Sequence, residues 1–196
     1  SGFNGDIQIS NFDANNSKVT VTPISTDQNF YPVFPDIPNI KKVQVYATKA
    51  GIIRTPNEFE GIILKGVDKD YNWEFFKEYL ITGSIPVFLD KISNDVLISQ
   101  KTANRLHLKV GDTFHMFFVK DDPNKIPNSR KFSVSGLYNS GFEEFDETYL
   151  IGDIQHIQKI NKWEIDQVGG FEIFIHDFDD LKETGFQIRS EERRVG

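Results

Sequence analysis

Apolar residues alternate with polar ones at Ile7 and Ile9, at Val19 and Val21, and at Val43, Val45 and Ala47. A period of two places successive side chains on opposite faces of an extended chain, so each stretch predicts a strand with one buried face. The turn-forming cluster "NFDANNS" lies between the first two stretches and predicts a hairpin over residues 6 to 22. In "FEGIILKGV" the continuous run Ile62–Leu64 predicts a strand buried on both faces. The same alternation recurs at Phe114, Met116 and Phe118, at Phe132, Val134 and Tyr138, and at Phe171, Ile173 and Ile175. "DVLIS" and "TYLIG" add two short strands.

Helical spacing shows in three places. Trp73, Phe75, Phe76, Tyr79 and Leu80 form one stripe, with Asp70 or Asn72 as cap and Gly83 as stop. Ser99 caps a helix that turns Ala103 and Leu106 inward, and Asp153 caps one carrying Ile154, Ile157 and Ile160. The segment "TPISTDQNFYPVFPDIPNI" contains four prolines and cannot be one long element. Many strands with about three helices predict an α+β (mixed α/β) class.

At 196 residues and 38% hydrophobic content, the chain can bury one core or two small lobes. No apolar run approaches the ~18 residues of a membrane helix. The first residue is Ser and no leader pattern is present, so the chain is expected to be a piece of something longer. The terminal "RSEERRVG", residues 189–196, resembles the translation of a sequencing-library adaptor. It is set aside as a non-native tail after a strand or turn at "GFQI".

The net charge is −7; the tail's three Arg and two Glu contribute +1, leaving −8 for the rest. An acidic surface opposes binding to a phosphate backbone, so no nucleic-acid partner is expected. The chain has no Cys, which excludes disulfides and zinc–thiolate sites and suits cytoplasm and periplasm equally.

Catalytic patterns are missing. His107, His115, His156 and His176 include no pair at i, i+4 and no His-Glu-x-x-His frame. His176-Asp177 beside Asp179-Asp180 reads as a solvated strand end rather than a cation site. The cluster Glu143, Glu144, Asp146 and Glu147 reads as acidic loop surface. No Gly-x-Ser-x-Gly elbow and no phosphate-cradling loop occurs. The expectation is a non-enzyme with no cofactor and no metal. One non-catalytic feature stands out: eleven residues, "KDDPNKIPNSR", join two strands where a short turn would suffice. Its tip residues Pro123, Ile126, Pro127 and Arg130 are candidates for partner contact.

The order of these elements resembles a known family. "DVLISQKTANRLHLKVGDTFHMFFV" followed by "RKFSVSGLYNSGFEEFDETYLIGDIQHIQKI" resembles the MacB-like periplasmic core domain of FtsX-family ABC transporter permeases, closest to the LolC/LolE lipoprotein-releasing type. The shared pattern is Leu-x-Leu-x-Val-Gly-Asp, a hairpin, then Phe-x-Val-x-Gly, carried here by Leu106, Leu108, Val110, Gly111, Asp112, Phe132, Val134 and Gly136. "GIILKGVD" and "FNGDIQI" resemble upstream segments of the family.

The resemblance implies a two-lobed periplasmic domain of a bacterial inner-membrane protein. Residues 1–66 and 165–188 would form a porter-like α/β lobe, and 67–164 an inserted strand-rich lobe with the hairpin 113–138. It further implies an ATP-binding subunit, a second permease copy or paralogue, and a lipoprotein or its periplasmic carrier as partners. The connection is shorter than the hook of LolC-type members, with Ile126-Pro127 and Arg130 in a comparable Ile-Pro-x-x-Arg setting. An efflux or mechanotransmission permease, or a freestanding soluble binding module, are the alternatives.

Overall fold

The computed structural model describes residues 5–10, 19–120 and 122–195. The strands β1 (Ile7–Ser10), β2 (Ile24–Ser25), β3 (Ile40–Arg54) and β4 (Phe59–Val67) come first. Then follow α1 (Glu74–Tyr79), β5 (Leu80–Gly83), β6 (Asp95–Ser99), α2 (Gln100–Leu106), β7 (Thr113–Phe118) and β8 (Asn128–Tyr138). The chain ends with α3 (Glu143–Thr148), β9 (Tyr149–Asp153), α4 (Ile154–Ile160), β10 (Gln167–Val168), β11 (Gly170–Ile175) and α5 (Leu181–Val195). The predicted mixed α/β class is the one observed.

Among the described residues nine strands make one sheet, and part of it closes on itself. β3 pairs with β4, β4 with β9, β9 with β6, β6 with β8, β8 with β7, and β7 returns to β3. β3 makes this possible by its length. Its first half pairs with β11 and its last three residues pair with β7, so one strand serves both the chain-end strands and the ring. Ring closure removes the open edges along which a flat sheet invites foreign strands.

Alternation sets what fills the ring. Phe114, Met116 and Phe118 point inward from β7, as Phe132 and Val134 do from β8, and all are buried. Phe114 and Phe132 are directly opposite in the register, with ring centroids 5.9 Å apart in an edge arrangement. A second apolar cluster of Val67, Tyr71, Phe76, Leu97, Tyr138 and Ile151 sits under α1.

The Ser99 and Asp153 caps form as predicted: Ser99 Oγ accepts from the Thr102 amide at 3.0 Å and Asp153 Oδ1 from the Gln155 amide at 3.0 Å. At α1 it is Asn72 whose side chain accepts from the Glu74 amide, at 3.1 Å. The helix does not run to Gly83. It ends at Tyr79, and Leu80 enters β5 because β8 offers it an edge to pair with.

Three expectations at the chain ends need correction. β1 pairs with β11, Ile7 opposite Ile173 and Ile9 opposite Phe171, and not with residues 18–22. That pairing puts both isoleucines on the face already buried by Phe171 and Ile173. Residues 19–22 form no strand; Thr20 is held to β3, its amide donating to the Thr48 carbonyl at 3.2 Å. The turn cluster expected at 11–17 lies outside the described residues. "GFQI" is neither strand nor turn but part of α5, where Thr184 and Ile188 are buried and Asn39 Nδ2 donates to Thr184 Oγ1 at 2.8 Å. α5 continues through the expected tail to Val195.

The proline-broken segment contributes core. Phe30, Phe34 and Ile37 are buried, and Phe30 stacks on Phe34 at 5.0 Å and meets Phe171 edge-on at 4.9 Å. On the opposite face of the same strands, Lys65 and Glu172 form a buried ion pair at 2.8 Å. Gln44 lies between them on β3, donating to Glu172 at 3.3 Å and accepting the Asn72 amide at 2.7 Å.

Candidate functional site: the β7–β8 hairpin

The hairpin begins at the Gly-Asp turn. Gly111 has φ +92°, a left-handed conformation that a side chain would strain. Its amide donates to the Val134 carbonyl at 2.9 Å, and the Val134 amide donates back to the Asp112 carbonyl at 2.9 Å. The Asp112 carboxylate accepts from the Lys109 amide and ammonium, each at 3.0 Å, which holds its pKa below the usual carboxylate value. These bonds fix where β7 starts.

The second motif is equally architectural. Phe132 and Val134 fill the ring interior, and Gly136 marks a close approach of β5. A Cβ on Gly136 would meet the Ser84 carbonyl oxygen at 2.7 Å, and one on Gly83, opposite in the register, would meet the Ser135 carbonyl oxygen at 2.3 Å. Gly111, Asp112, Phe132, Val134 and Gly136 thus aim the hairpin and keep it rigid.

At the far end, Asp122, Pro123, Asn124 and Lys125 make a turn closed by the Lys125 amide donating to the Asp122 carbonyl at 3.1 Å. Pro123 takes the position for which its fixed φ suits it. Pro127 precedes β8, and Ile126 between them is 84% exposed. Val119, which sequence reading passed over, is 67% exposed. The register ends with Phe118 opposite Asn128, so Val119 and Pro127 are the first residues beyond it on either side. Its signal was available: Val119 follows the inward Phe118, so an apolar side chain falls on the outer face.

Arg130 is not on the loop. It is the third residue of β8, opposite Met116, half-buried, with Nη1 donating to the Ser129 carbonyl at 2.8 Å. The sequence groups the four tip candidates together; the structure sets Pro123, Ile126 and Pro127 at the exposed tip and Arg130 at its base.

The base also meets α4. His156 is buried, its Nε2 is 2.7 Å from the Ser93 carbonyl, and its ring stands edge-on to Phe132 at 5.0 Å. Nε2 therefore carries the proton and donates, while Nδ1 has no partner among the described residues. Burial pushes the His156 pKa below the ordinary 6.5; Arg130 and Lys159 push the same way, and the Ser93 carbonyl and Asp153 oppose them. The unfolded chain then binds the proton more readily, so stability declines as pH falls below about 6.5. Replacing His156 by Gln should flatten that acid limb in melts between pH 7.5 and 5; an unchanged limb would exclude His156 as its source.

The acidic cluster at residues 143–147 forms α3 rather than loop surface. Lys101 bridges Glu143 and Glu147, and Arg105 bridges Glu147 and Glu60 at 2.8 Å each, tying α2, α3 and β4 together. Asp146 is buried, accepting from the Ser140 amide and hydroxyl. Asp177 caps the 3-10 turn Phe178–Asp180. Among the described residues no group of three His, Cys, Asp or Glu side chains is arranged to hold a metal, and no helix is long and apolar enough to cross a membrane.

No family model matches the chain. Two proteins called lipoprotein-releasing system transmembrane protein LolC, from Xylella fastidiosa strains Temecula1 / ATCC 700964 and 9a5c, are 27% and 26% identical to it over 88 residues. That match takes in 43% of this chain and 21% of each relative, so the chain spans about a fifth of their length. The periplasmic region of MacB from Actinobacillus actinomycetemcomitans superposes with TM-score 0.52 at 16% identity, covering 80% of this chain and 70% of that one. The extracellular domain of the noncanonic ABC-type transporter YknZ from Gram-positive bacteria gives 0.51 at 18% identity, over 76% and 73%. The chain has the mixed α/β fold of the extracytoplasmic domains of MacB and YknZ, the fold its ordered motifs resemble.

Proposed function

We propose that this chain is the extracytoplasmic domain of an ABC transporter permease of the lipoprotein-releasing type, and that the tip of the β7–β8 hairpin contacts a lipoprotein or its periplasmic carrier. One observation carries the reading: a proline-braced tip presents Ile126 and Val119 to solvent from a strand pair anchored in a closed ring. Prolines reduce the entropy lost when a partner orders the tip, and exposed aliphatic side chains gain by being covered. The partial match to LolC supports the choice of cargo. On this reading ATP hydrolysis belongs to a separate cytoplasmic subunit, a second permease copy or paralogue completes the transporter, and this domain turns over nothing.

The test is capture of the cognate carrier by the full chain and by the double variant Val119→Ser, Ile126→Ser, both positions exposed. Capture should weaken by about 1–3 kcal/mol while the melting temperature of the free chain stays within the range of a surface change. Unchanged capture would remove the tip as the contact. A second reading, an efflux or mechanotransmission permease, is favoured by the broader fold match to MacB and YknZ. It predicts that the wild-type chain captures no lipoprotein carrier at all.

A further inference from the structure

A groove of about 600 Å³ lies between the β3–β4 turn, the end of α2 and β7, apart from the hairpin tip. Arg54, His107 and His115 line it, with Leu106, Leu108 and Phe117 as apolar walls, and no Asp or Glu lines it. In a chain of net charge −7, that is a local inversion of sign.

The strand register makes the inversion specific. Arg54 stands directly opposite His115 on adjacent strands, so the two side chains leave the same face of the sheet. The next outward pair is apolar, Ile52 opposite Phe117. His107 joins them from α2, held at φ +55° where the helix ends and its amide bonds back to Asn104. A residue other than Gly in this conformation is strained, and here the strain turns an imidazole toward the groove. Among the described residues no carboxylate pairs with the Arg54 guanidinium.

We infer that this groove binds an anionic amphiphile: a carboxylate or phosphate head held by Arg54, His115 and His107, and a short apolar chain against Phe117 and Leu108. The guanidinium fork suits a two-oxygen head, and the imidazole N–H groups complete its hydrogen bonds. The assignment is independent of the hairpin's proposed partner, since it uses none of the tip residues.

Calorimetric titration of the full chain with dodecanoate and with dodecyl phosphate, each below its micelle concentration, tests it. Both should bind saturably. Dodecanol and inorganic phosphate should each bind at least tenfold more weakly, and Arg54→Gln or His115→Gln should weaken either anionic ligand at least tenfold. Arg54 and His115 are exposed, and a melt of each variant confirms that the chain is folded. Equal binding of dodecanol, equal binding of inorganic phosphate, or full affinity in Arg54→Gln would overturn the proposal. So would competition by a soluble acidic peptide as strong as that of dodecanoate, since it would make this a protein-docking groove. Flotation with phosphatidylglycerol vesicles separates the two sources of such a head. Arg54-dependent capture assigns a bilayer lipid, and no capture assigns a soluble amphiphile.

Discussion

Replacing Glu172 by Leu is expected to destabilise the domain by about 3–5 kcal/mol. Glu172 holds Lys65 in an ion pair at 2.8 Å, and both side chains are almost fully excluded from water, at 0% and 2% exposure. Removing Glu172 takes its carboxylate away from a buried ammonium group that also lies 5.6 and 5.7 Å from the Tyr46 and Tyr71 rings. Burial already pushes the Lys65 pKa down while Glu172 opposes that push. Without Glu172 the lysine loses its proton more readily on folding, so the variant's deficit should shrink as pH rises. The double variant Lys65→Met, Glu172→Leu removes both charges and should recover most of the loss. Urea denaturation of the three chains is the measurement. A double variant as unstable as the single one would show that packing, not an orphaned charge, sets the cost.

The second large effect is expected at Gly83. It has φ +78°, and a Cβ there would stand 2.3 Å from the Ser135 carbonyl oxygen, a backbone atom that cannot turn aside. Gly83→Ala combines backbone strain of about 1–3 kcal/mol with overpacking of about 1–3 kcal/mol. It acts where β5 seals against β8 and should shift the urea midpoint by the sum. By contrast Gly111→Ala meets no atom within 4 Å and carries the strain alone. Equal losses at the two positions would contradict the close approach of β5 to β8.

Local chemistry was legible in the sequence wherever one element decides it. Ser99 and Asp153 cap because a side-chain oxygen reaches an amide two or three residues on, and the alternation at Phe114, Met116 and Phe118 needs only a core on one side. Partner choice was not. Whether β1 pairs with residues 18–22 or with β11, 160 residues away, depends on which face of the final strand is already buried, and nothing near Ile7 encodes that. Ring closure is similar: it requires Arg54 and His115 to meet, a contact that neither stretch announces alone. The buried Lys65 read as an ordinary strand residue, although Glu172 standing between Phe171 and Ile173 was a hint that the strand's other face had a charge to neutralise. At the hairpin, the sequence identified a tip too long for a turn but could not separate exposed Ile126 from Arg130, which belongs to β8 and faces α4's electrostatic surroundings.

If the chain is a permease domain as proposed, its hairpin tip is where a lipoprotein or its carrier makes contact. The most direct test is a photo-reactive residue at position 126 of the intact permease in its own membrane, with the exposed Phe59 position as control. Illumination should attach a lipoprotein or its carrier at position 126 and not at 59. Crosslinks from position 126 only to the permease itself, or equal crosslinking at both positions, would contradict the account.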